Sequence, residues 1–287
     1  MNKRLNTVIC TVLTILLTLV LAALYITLYA DRCISTEDFM KQQVQATDTY
    51  NNAYDSLMKK FSDSCGETSI PVEVDEKAFS RDWMKSHIDK RISVGFADFD
   101  GEGKMEYDFT AVEKSLTEYF EEYARTNHVI KDETYEKRLA ESIANAEKTA
   151  VSAVDVYHLE TMKSSGIWSD IGTARNIIPR LKTALIAAAA VIAVLILLLK
   201  NFFYWIGTAL FASGCILSVP TAIVKFSGYI MRFAVKDHTA YNLVTKTLTA
   251  VNGNVLISGL GMAAVGIIMI IIGIIIRRHK EKGETEQ

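Results

Sequence analysis

Four stretches of this chain contain no Asp, Glu, Lys, Arg or His: Leu5 to Ala30, Thr183 to Leu199, Asn201 to Val224, and Val255 to Ile276. Each is near the ~20 residues that an α-helix needs to cross a ~30 Å hydrocarbon core. Backbone N–H and C=O groups in hydrocarbon must be satisfied within the segment, so such runs fold as helices. The fold class that follows is an all-α integral membrane protein with four transmembrane helices, at about 7–29, 183–199, 202–224 and 255–276. Between the first two lies a polar segment, 31–180, long enough to build its own core.

Charge separates these parts. Segment 31–180 holds 19 Lys/Arg against 29 Asp/Glu, a formal charge of −10. The remaining residues hold 12 against 4, or +8, so the whole-chain value of −2 describes neither population. Cytoplasmic flanks retain Lys and Arg. With the N-terminus inside, those flanks carry Lys3, Arg4, Lys200, Arg277, Arg278, Lys280 and Lys282. The opposite loop, 225–253, carries four such residues over a longer stretch, while Arg32, Arg180 and Lys182 lie against the trend. The expectation is a cell-membrane protein with both termini cytoplasmic, 31–180 extracytoplasmic, and a basic cytoplasmic tail at 277–287. Leu28-Tyr29-Ala30 lacks a small residue two before Ala30, so the first run reads as a retained span, with a cleaved signal peptide as the alternative.

Within 31–180 the apolar residues recur at helical spacing. Met40, Val44, Thr47, Tyr54, Leu57 and Phe61 mark one helix over Thr36 to Phe61, and Phe79, Trp83 and Ile88 a second over Glu76 to Ile92. A third runs from Thr110, where Thr110-Ala111-Val112-Glu113 fits a capping box, to Asn127. The fourth runs from Asp132 to about Met162. Four such helices with short connections predict an antiparallel bundle. Cys33 and Cys65 share the outer segment, where either a disulfide or two unpaired thiols fits. Asp237 to Val251 reads as a short separate helix near the membrane surface.

One string has the spacing of a cation loop. From Asp98 to Phe109, acids fall at positions 1, 3, 5 and 9 (Asp98, Asp100, Glu102, Glu106), with glycine at 6 and an apolar residue at 8. Clustered carboxylate oxygens around a tight turn suit Ca²⁺ or another hard divalent cation. Phe109 stands where a bidentate glutamate is required, so the competing reading is a solvated acidic turn. No other cofactor is implied. The five histidines are scattered and read as surface or boundary residues. Zinc-type His/Cys spacing, a Gly-rich phosphate loop and a nucleophile elbow are all missing from the sequence. No catalytic residue is nominated, and the expectation is a non-enzymatic protein.

Ion pathways place charge at membrane depth; these spans offer small residues instead. Gly207, Gly214, Ser218 and Ala222 line the third span, and Gly259, Ala263, Gly266 and Gly273 the fourth. Such faces let helices approach closely, within the chain or against a partner. The expected partners are the lipid bilayer and a second membrane protein or a further copy of the chain, with nucleic acid repelled by the acidic domain. Short cytoplasmic ends leave no room for a signalling domain. The reading is therefore a surface-exposed ligand- or protein-binding, sensory membrane protein acting through a partner. The alternative is an accessory subunit of a membrane transport or secretion complex. The layout resembles that of bacterial membrane proteins with a short basic N-terminus, one outer helical domain, three further spans and a basic tail; the resemblance is organisational and implies no activity.

Overall fold

Helices carry the whole architecture. The structure is a computed structural model that describes residues 3–100, 103–199, 201–232 and 237–283, and no β-strand occurs among them. In chain order the helices are α1 (Lys3–Ile34), α2 (Glu37–Ala46), α3 (Thr49–Thr68), α4 (Val72–Ala78), α5 (Arg81–Ala97), α6 (Thr110–Thr126), α7 (Glu133–Val154), α8 (Leu159–Ser164), α9 (Ile167–Leu197), α10 (Phe202–Ser227) and α11 (His238–Gly283). Short 3₁₀ turns cover Asp98–Asp100 and Tyr229–Arg232. Four helices, α1, α9, α10 and α11, are long and apolar enough to cross a membrane.

The chain divides into two units. One comprises residues 1–35, 173–234 and 245–287 and contains the four apolar stretches. In it α1 packs along α10, where the Ser213 hydroxyl donates to the Ala209 carbonyl at 2.7 Å and the Thr18 carbonyl at 2.9 Å. Leu17, Ile196 and Ala209 form a small buried cluster from α1, α9 and α10. Glycine decides the approach of α10 to α11. A methyl group added at Gly214 would lie 2.5 Å from the Ala263 amide and the Gly259 carbonyl, and one at Gly207 would lie 2.8 Å from the Gly266 carbonyl. Where α1 meets the start of the second span, the Lys182 ammonium donates to Asp31 at 2.6 Å.

The second unit comprises residues 36–172 and 235–244. Val44, Leu57, Phe79, Met84, Ile88, Leu116 and Val154 are among its most deeply buried side chains. They are largely the apolar stripes that helical spacing predicts, so hydrophobic burial holds the unit together. On α6, Val112 and Leu116 are buried, Tyr119 and Phe120 pack partly against the core, and Tyr123 is 50 % exposed.

Several boundaries differ from expectation, each for a local reason. The first predicted helix is broken between α2 and α3: Asp48 is left-handed (φ 57°), and the Thr47 hydroxyl turns back onto the Gln43 carbonyl at 2.7 Å. The second is preceded by a separate α4, because Phe79 and Ser80 are extended and the Ser80 hydroxyl caps α5 through the Trp83 amide. The capping box does not form: Phe109 is the N-cap of α6, and the Asp108 carboxylate accepts the Thr110 amide. The fourth helix stops at Val154, since Asp155 bonds the Leu159 amide at 2.9 Å and His158 is left-handed. Residues 238–251 are not a separate helix but the first turns of α11. All four cysteines are unpaired.

Candidate functional site

A cavity of about 430 Å³ lies in the second unit, between α3, α4, α6 and α7. Its position follows from the short α4. Helix α3 ends on left-handed Ser69, and Pro71, in an extended conformation (φ −65°, ψ 141°), is the N-cap of α4. Two bonds then tie this segment to α6: the Tyr119 hydroxyl donates to the Ser69 carbonyl at 2.7 Å, and the Ser115 hydroxyl to the Val74 carbonyl at 2.7 Å. Phe79, stacked on Phe61 at 5.6 Å, fixes the far end.

That anchoring turns Asp75 inward. Its neighbours one helical turn away, Ala78 and Phe79, are buried, and Asp75 itself is only 5 % exposed. The side chain makes no ion pair or hydrogen bond with any described residue, yet its oxygens are not sealed off, and the residue lines the cavity. Burial pushes its carboxyl up to about 6. Phe61, Ile70, Leu116 and Ala146 supply apolar wall, and Lys60 and Lys148 are exposed at the rim. Ser64, Thr68, Ser142, Asn145 and Thr149 complete a mixed lining, and a cavity of this volume has the dimensions of a small-molecule site. A second depression beside Asp155 and His158 holds about 20 Å³, room for little more than one water.

Asp75 was not singled out from the sequence. The signal was Pro71-Val72-Glu73-Val74-Asp75-Glu76-Lys77-Ala78-Phe79, where Pro71 starts a helix and Asp75 shares a face with Val72, Ala78 and Phe79.

The sequence-predicted cation loop lies elsewhere in the same unit. Asp98 opens a 3₁₀ turn, and its carboxylate pairs with Lys163 at 2.8 Å. Phe99 beside it stacks on Trp168 with ring centroids 4.6 Å apart. Glu106 is exposed, and its backbone carbonyl accepts from Lys90 at 2.9 Å. The Asp100 side chain and all of Glu102 lie outside the described residues. No three His, Cys, Asp or Glu side chains converge as metal ligands among the described residues.

One histidine departs from the surface or boundary position expected of it. His87 is buried, stacked at 4.0 Å on Trp83, with Nδ1 2.8 Å from the Trp83 carbonyl. Its Nε2 accepts the Asp108 amide at 3.4 Å, so the ring pins the stretch leading into α6. Both nitrogens are thereby engaged in holding backbone.

Comparison of the chain with protein-family models, with curated proteins and with solved structures finds no match.

Proposed function

We propose that this chain is a non-enzymatic multi-pass membrane protein whose helical domain, residues 31–180, faces outside, binds a small ligand there and acts through a membrane partner. The observation that carries the reading is the cavity of about 430 Å³ lined by the Asp75 carboxylate, which has no partner among the described residues. An unpaired buried charge costs free energy, and a binding site is a common reason to retain one. The charge pattern of the flanks supports both termini inside.

The need for a partner follows from the spans. The apolar window of the second span, in α9, is almost wholly unburied within the chain, and Ala184 and Ala187 lie exposed along it. The glycines of α10 and α11 already face each other. A membrane partner therefore meets α9 rather than the glycine faces. That same open face favours the second reading, an accessory subunit of a transport or secretion complex.

Two measurements test the proposal. Reporter fusions after residues 130 and 283 establish sidedness; a cytoplasmic readout at 130 rejects an external ligand site. Cross-linking followed by extraction in mild detergent identifies what sits on α9. A permease held in fixed stoichiometry selects the accessory reading, and a chain recovered alone under all conditions rejects any partner-mediated role.

A further inference from the structure

We propose that the Asp75 cavity binds a small organic ammonium ion, with its nitrogen on the Asp75 carboxylate and its hydrocarbon part against Phe61, Ile70 and Leu116. This rests on the helical domain being a ligand-binding module, and it names the ligand's chemistry.

Charge is the first argument. Asp75 is 95 % buried and has no cationic partner among the described residues, although Lys60 and Lys148 line the same cavity. Both lysines are exposed at the rim, where water already solvates them. A carboxylate or phosphate entering the cavity meets a like charge at Asp75. A cation entering it supplies the missing counter-charge, in surroundings where a pair of charges attracts more strongly than in water.

The hydroxyl groups give an independent argument. Ser64 donates its proton to the Phe61 carbonyl at 2.9 Å, Thr68 to the Ser64 carbonyl at 3.1 Å, and Thr149 to the Asn145 carbonyl at 2.7 Å. With their protons engaged along their own helices, these three hydroxyls offer lone pairs to a ligand, while the donors of the lining are Ser142, Asn145 and the exposed Lys60 and Lys148. Asp75 likewise only accepts while ionised. An ammonium group has three N–H donors and no acceptor, so its natural partners in this lining are the Asp75 carboxylate and these hydroxyl oxygens. Phe61, Ile70 and Leu116 then favour an ammonium that carries hydrocarbon over a bare inorganic cation.

The test uses the full-length chain in detergent micelles, titrated calorimetrically at pH 7.5 with phenethylammonium chloride, phenethyl alcohol and 3-phenylpropionate. The same titrations on Asp75→Asn remove micelle partitioning from the comparison. The expected result is saturable, one-site binding of the ammonium alone, weakened at least tenfold by Asp75→Asn. Helical circular dichroism and a raised melting temperature certify that the variant is folded. Equal binding of the ammonium to both proteins overturns the proposal, as does the absence of saturable binding. Saturable binding of the alcohol or the carboxylate instead overturns the ammonium assignment but keeps the cavity as a ligand site. The sidedness and cross-linking results are independent of these titrations, so failure of the wider reading is recognised separately.

Discussion

Arg91 holds Glu160 at 2.7 Å from a position where its own side chain is 6 % exposed. The same guanidinium lies 3.4 Å from Asp155 through Nε, and Asp155 in turn caps α8 through the Leu159 amide. One buried cation on α5 thus fixes the turn that ends α7 and begins α8. Removing one member of such a buried group leaves an uncompensated charge.

Arg91→Met is accordingly expected to destabilise the protein by about 2–3 kcal/mol, because the largely buried Asp155 loses its guanidinium and keeps only the Leu159 and Glu160 amides. Glu160→Gln is expected to cost under ~1 kcal/mol, since exposed ion pairs contribute little; the Glu160 side chain is 72 % exposed. Denaturant titration followed by helical circular dichroism checks both. Equal losses in the two variants contradict the assignment of Asp155 as the dependent group.

Asp75 sets a pH dependence opposite in sign to that of most carboxylates. Its folded-state value, about 6, lies above the ordinary 3.8, so between those values the folded chain holds a proton that the unfolded chain has released. Stability from this group therefore falls as pH rises from about 4 to 6 and stays low above that. Two units correspond to about 3 kcal/mol. Asp75→Asn should raise the unfolding free energy at pH 7 by up to that amount and leave it nearly unchanged at pH 4. A variant less stable than the parent at pH 7 refutes the unpaired buried charge.

The glycine contacts between α10 and α11 are expected to be intolerant of side chains. Gly214→Leu forces the two backbones apart, because even a methyl group there lies 2.5 Å from α11 backbone atoms. Gly261, on the same helix α11 but with nothing within 4 Å of an added methyl group, provides the control. Gly214→Leu should lower the melting temperature in detergent by several degrees, and Gly261→Leu should leave it within a degree or so, as for non-interfacial sites. Similar melting of the two variants removes glycine packing as the reason for the α10–α11 approach.

Calcium is expected to bind the acidic turn weakly or not at all. Asp98, the first acid of the Asp98–Phe109 string, already has Lys163 at 2.8 Å, and Phe109 replaces the closing glutamate. Calorimetric titration of the full chain with CaCl₂ should show no saturable heat at millimolar metal. Saturable heat that disappears in Asp98→Asn restores the cation loop.

The helical stripes were legible because burial selects apolar residues at fixed spacing. Val44, Leu57 and Ile88 stand in those stripes and are fully buried. Helix ends were less legible. The breaks at Asp48 and His158 rest on single left-handed residues, and these conformations are available to Asp and His but are not demanded by them. His87 carried no signal of burial, because beyond Trp83 on its own helix its position depends on Tyr107 and the Asp108 amide, which arrive from the segment leading into α6.

The sequence alone determined that this is a helical chain with four segments suited to a membrane, since charge-free runs of that length have few other stable solutions. Tertiary structure decided which polar groups are buried and which of them are partnered. Arg91 and Asp75 look alike in sequence, each a charged residue among neighbours of mixed polarity. Long-range packing brings Asp155 and Glu160 to the first and leaves the second facing a cavity. Pairing across a fold depends on segments far apart in the chain, and local spacing does not encode it.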